Sequence, residues 1–251
     1  MDSDVVGLNY NCGGVTGVTD NLAQFQYISG QSCSFSIGGI DLGSAVGAPL
    51  MTPVDLVPGA SPGVANAAVT DIARLLLSLD DDGDPGNGIT ISAAVRTTLG
   101  GMSLGSAFGS GGFAAAAQMI VSAAFPGRLL VDATTAANHL DLSLVGLFSG
   151  PYHCTYSALV GGVNTALGGV VISIATGVIT GAGTPTGGGS TFTVAGTVSA
   201  NGAATMSAGT TSTGATFQGT FLSDGTAAHT SASGTWNDPA LGSGTWTCQH
   251  D

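Results

Sequence analysis

The chain has 251 residues, enough for one large domain or two small ones with separate cores. It carries fifteen Asp and no Glu against three Arg and no Lys, for a net charge of −12, and only 7% of residues are charged where about 25% is usual. Phosphate needs Lys or Arg to neutralise it, so this balance argues against nucleic acid, while 43% apolar content and a mean hydropathy of +0.42 exclude a disordered chain.

Met1-Asp2-Ser3-Asp4 has no export signal, and Met1 reads as a start residue placed on a mature form. Strand-like runs follow at residues 5–10, 25–28 and 34–37, punctuated by Asn11, Gly13-Gly14, Ser29-Gly30 and Gly38-Gly39. Ser61-Pro62 reads as an N-cap with Pro at the first helical position. Ala65, Val69, Ile72, Leu76 and Leu79 then recur at 4-3-4-3 spacing, the apolar face of a helix. Residues 93–99 read as a short helix, and a longer one is predicted over 113–124, stopped by Pro126-Gly127. Another starts at Asp132 as N-cap and carries Ala133, Ala137, Leu140, Leu144 and Leu147 on one stripe. These apolar faces need a partner, and the small β-unit is the obvious one.

Ser149-Gly150-Pro151 is the predicted junction, because twelve of the fifteen Asp and all three Arg precede it. Residues 1–150 are therefore expected to form an α+β module, a small β-unit packed by helices. Residues 151–251 are expected to form an all-β antiparallel barrel or sandwich. Eight candidate strands fall at 154–159, 170–175, 178–181, 191–198, 204–208, 216–222, 228–236 and 243–249, with a turn at 184–189 and two-residue hairpin signals at Asn201-Gly202 and Asp224-Gly225. Gly-Thr-apolar recurs at residues 196–198, 219–221, 234–236 and 244–246, too irregularly for a solenoid. The uncharged stretch 158–182 contains Gly161-Gly162 and Gly168-Gly169, which suits strands, and no transmembrane helix is expected there. Residues 142–223 hold no charge to guard a strand edge, so an open sheet would favour self-association, whereas a closed barrel would hide its edges.

Cys12, Cys33, Cys154 and Cys248 show no CxxC or zinc spacing, and their even number suits an oxidising compartment. Of three pairings we favour Cys12–Cys33 and Cys154–Cys248. The second would tie the first and last strands of the β-domain together, as in a closed barrel.

Chemistry is sparse. Asp80, Asp82 and Asp84 alternate as the oxygen ligands of a Ca²⁺ loop do, and Asn87 can add a carbonyl oxygen. Four carboxylates in five residues at the negative end of a helix repel without a cation, so bound Ca²⁺ is expected. Pro85 stands where an EF-hand has Gly, and no Glu closes the loop; the alternative is a solvated turn. Gly101-Met102-Ser103-Leu104-Gly105 matches the nucleophile elbow of α/β-hydrolases, and His139 with Asp132 or Asp141 would complete a triad. A secreted serine hydrolase using Ser103 and His139 is thus the alternative activity, although the elbow lacks its strand-to-helix setting. Tyr152, Tyr156, Trp236 and Trp246 would stack on sugar rings if they faced outward, or fill a barrel if they faced inward.

Thr19-Asp20, Phe25-Gln26-Tyr27, Phe35-Ser36-Ile37-Gly38, Thr52-Pro53-Val54-Asp55-Leu56 and the string of residues 79–89 resemble a module of bacterial secreted proteins, found in lipoproteins and large adhesin-like surface proteins. The resemblance covers about residues 4–95. It implies an extracytoplasmic setting. With composition, the expectation is a secreted or surface-attached protein with a structural, adhesive or ligand-binding role, and surface polysaccharide or self-association as partners. The resemblance supplies no catalytic residues.

Overall fold

The computed structural model describes residues 4–160, 163–209, 214–226, 229–240 and 242–251; Met1 and the Gly161-Gly162 pair lie outside them. The chain divides into two compact units, residues 1–143 and 144–251.

The first unit opens with β1 (Val5–Val6), β2 (Asn9–Cys12), β3 (Val15–Val18), β4 (Ser32–Ile37) and β5 (Ile40–Val46). Then come α1 (Ala67–Ser78), β6 (Ile89–Thr90), α2 (Ala93–Thr98), α3 (Phe113–Ala124) and α4 (Ala133–Gly146), within which the two units divide. The run expected at 5–10 is split by Gly7, whose φ of +87° suits glycine and where a Cβ would strike the Ile91 carbonyl. Before the split, β1 pairs in parallel with β6; after it, β2 joins an antiparallel sheet of order β3-β2-β4-β5. Residues 25–28 are not a strand. Both sides of β2 are taken by β3 and β4, so this stretch lies outside the ladder, and the Phe25 ring packs on Phe35 and Tyr10 at 5.2 and 6.1 Å. The sheet's Phe35, Ile37, Ile40 and Leu42 share one core with Ile72, Leu75 and Leu76 of α1 and with Ile120 and Val121 of α3.

Helix α1 starts later than Ser61-Pro62 suggests. Asn66 is extended and its side-chain oxygen accepts from the N–H groups of Ala68 and Val69, making it the N-cap, while Ser61 belongs to the preceding turn. Asp132 does cap α4, accepting from the Thr135 N–H and hydroxyl.

The second unit is an eight-stranded antiparallel barrel: β7 (Gly150–Val160), β8 (Val163–Ala175), β9 (Val178–Pro185), β10 (Phe192–Val198), β11 (Ala203–Ala208), β12 (Thr216–Leu222), β13 (Ser231–Asp238) and β14 (Gly242–His250). Each strand pairs with its neighbour in sequence, and β14 pairs with β7 to close the wall. The packing draws the junction earlier than Ser149-Gly150-Pro151, because Phe148 is buried in the barrel core and its carbonyl accepts from the Tyr152 hydroxyl. Asn201-Gly202 does not form a two-residue hairpin; the Asn201 side chain organises a loop over 199–202 by accepting from the Ala203 N–H and the Ser199 hydroxyl.

The recurring Gly-Thr-apolar triplet has a packing cause. Along each strand Gly and the apolar residue face inward and Thr faces water. In the register, Trp246 lies opposite Gly234, Trp236 opposite Gly244, Tyr156 opposite Gly168, Phe192 opposite Gly183 and Met206 opposite Gly196. Each bulky side chain thus has a neighbour without one, and the narrow interior fills without collision. Apolar side chains fill the barrel interior. Among the described residues no helix is long and apolar enough to cross a membrane.

Candidate functional site

The Asp-rich loop begins where α1 ends. Leu79 is fully buried and anchors it, and Asp80 is only 1% exposed. Asp80 Oδ1 accepts from the Thr90 N–H at 2.8 Å, while Oδ2 is buried without a donor. The Asp82 carboxylate faces Asp80. Burial above all, reinforced by Asp82, pushes the Asp80 carboxyl above the usual carboxylate range. Asp82 accepts from the Asn87 amide at 2.8 Å and from the Asp84 N–H at 2.9 Å, and these bonds hold its pKa low.

Asp84 Oδ1 accepts from the Gly86 N–H at 3.1 Å. The structure therefore sets Asp82 beside both Asp80 and Asn87, with one Asp84 oxygen taken up by the turn; among the described residues no three His, Cys, Asp or Glu side chains are gathered as a metal set. Sequence reasoning missed Arg128. Its guanidinium donates to the carbonyls of Ser78, Asp80 and Asp81, covering the exposed carbonyl end of α1, and lies 3.7 Å over the Phe125 ring. It serves the backbone of the loop rather than its carboxylates.

Ser103 does not sit on a nucleophile elbow. The loop 101–105 follows α2, and Met102 and Leu104 pack against the core so that Ser103 between them is exposed. The Ser103 side chain makes no hydrogen bond to any described residue, and Asp132 is engaged in capping α4 through Thr135.

The barrel aromatics face inward. Tyr152, Trp236 and Trp246 are at most 4% exposed, and Tyr156 packs edge-on against Trp236 and Phe192. The Trp236 and Trp246 N–H groups donate to the Ser157 and Gln218 carbonyls. These rings are core, and outward stacking on sugars is corrected. An apolar cavity beside them is about 10 Å³, room for no more than one water.

Its outer wall is different. Thr155 lies opposite Thr247 and Ser157 opposite Thr245, with hydroxyl oxygens 3.3 and 3.2 Å apart. Ladder pairing continues the second row through Thr235, Gln218, Thr205 and Thr197, all exposed. A register shift between Tyr156 and Ser157 bends β7, and there an open groove of about 270 Å³ is lined by Thr155, Ser157, Ala166, Thr245, Trp246 and Thr247. The signal was in the sequence, as Thr beside each inward apolar residue, but the cross-strand alignment needs the register.

No known protein family, curated protein or solved structure matches the chain.

Proposed function

We propose that this protein is a non-catalytic, extracytoplasmic structural or adhesive protein of bacterial type that binds neutral surface polysaccharide along the outer wall of its barrel. The hydroxyl-lined groove on β7 and β14 carries the reading. Thr and Ser hydroxyls both donate and accept, which suits the hydroxyls of a sugar, and the absence of charge from residue 142 to 223 suits a neutral chain. Two disulfides are in keeping with an oxidising compartment. With no ring exposed for stacking, each contact is weak, and affinity comes from repetition along the polymer.

Affinity electrophoresis in gels cast with neutral or anionic polysaccharides tests this. Retardation is expected in at least one neutral gel. Replacing Thr155 and Thr247 together by Val should weaken it about tenfold, the worth of one to three hydrogen bonds, without changing the melting temperature. Equal mobility in every gel overturns the reading.

A further inference from the structure

We propose that the Asp80–Asp82 carboxylate pair at the end of α1 binds one Ca²⁺, with the buried, donorless Oδ2 of Asp80 as its first ligand. This rests on different residues from the polysaccharide groove, and its failure leaves that reading untouched.

A buried acceptor without a donor is rare in a native protein and destabilising when it belongs to a carboxylate. Asp80 Oδ2 is such an acceptor: the residue is 1% exposed, Oδ1 is committed to the Thr90 N–H, and the side chain that interacts with this carboxylate is another carboxylate, Asp82. The charged groups around the pair offer no relief. Arg128 donates to the Ser78, Asp80 and Asp81 carbonyls, Asp81 and Asp84 are themselves acids, and Asp84 is held by the Gly86 N–H. What fits between two facing carboxylates is a cation or a shared proton. The donors are hard oxygens without sulfur or imidazole, which selects Ca²⁺ or Mg²⁺ over transition metals.

Asn87 can join a metal's shell. Its amide already reaches Asp82 at 2.8 Å, and turning it by half a rotation puts Oδ1 in the place of Nδ2 as a third oxygen. Ca²⁺ completes its shell with backbone carbonyls and waters more readily than Mg²⁺, which demands a regular octahedron. The ligand set is therefore Asp80, Asp82 and Asn87, without Asp84.

The full chain, stripped with EDTA and dialysed at pH 7, is titrated with CaCl₂ by calorimetry and melted with and without Ca²⁺. One site per chain and a melting transition raised by several degrees are expected, because the ion binds only the folded state. Asp80→Asn keeps the shape and gives Asp82 a donor in place of the ion, so it should fold and lose the Ca²⁺ response. Asp82→Asn should lose it too, and serves if the first variant does not fold; Asp84→Asn should keep it. No binding heat and superimposable melts in millimolar Ca²⁺ would mean that the pair holds a proton, and would overturn the proposal. So would an equal loss of response in Asp84→Asn, which is the mark of diffuse charge rather than a site.

Discussion

Tyr152 is fully buried, and its hydroxyl donates to the Phe148 carbonyl at 2.7 Å. Burial pushes its pKa from 10.0 up to about 12. The folded state thus favours the neutral phenol, while the unfolded chain ionises near pH 10. Its contribution to stability is whole below pH 10 and is lost as pH rises from there toward 12. Urea midpoints measured from pH 8 to 11.5 should fall, and Tyr152→Phe should flatten part of that fall. At pH 7 the same variant leaves the Phe148 carbonyl without its donor, for a loss of about 1 kcal/mol. Burial raises Tyr156 as well, so some alkaline slope will remain.

At the scale of strands, glycine and aromatic act as a pair. A Cβ on Gly234 would lie 2.6 Å from the Gly219 Cα, which is backbone and cannot swing aside. Gly234→Ala should therefore destabilise the barrel by about 1–3 kcal/mol, and Trp246→Ala, which empties the space opposite, by about 3–5 kcal/mol. Thr235→Ala, between Gly234 and Trp236 but facing water, should stay within about 0.5 kcal/mol; chemical denaturation followed by tryptophan fluorescence separates the three. All eight barrel strands were placed by their inward–outward alternation, although β8 starts at Val163 rather than residue 170 and β9 runs to Pro185, into the turn expected at 184–189. The first unit was less legible. Val15-Thr16-Gly17-Val18 is too short and glycine-broken to announce β3, and the local pattern put the N-cap of α1 at Ser61-Pro62, whereas Asn66 caps it. The Asp loop was visible as composition. The aim of each carboxylate was not, since Asp80 is oriented by Thr90, ten residues on, and the helix end is covered by Arg128, which is further still along the chain.

At the scale of the whole molecule, each unit has its own staple. Cys12–Cys33 spans 21 residues between adjacent β2 and β4, and Cys154–Cys248 spans 94 between β7 and β14. The chain-entropy model gives roughly 3 kcal/mol for the first and about 5 kcal/mol for the second. Replacing Cys154 and Cys248 by Ala should lower the barrel transition and leave that of the first unit in place, whereas replacing Cys12 and Cys33 should do the reverse; differential scanning calorimetry reads both. The β7–β14 pairing has a further consequence, in time rather than in energy. A chain made or threaded from its N-terminus presents β7 long before β14. Seven of the eight strands can pair as they emerge, yet the first keeps one ladder edge unmatched until the last arrives. The barrel is therefore completed only once β14 has emerged. Until then the half-built sheet is the chain's most aggregation-prone form, and a stalled or truncated copy lacking β14 would be trapped in it.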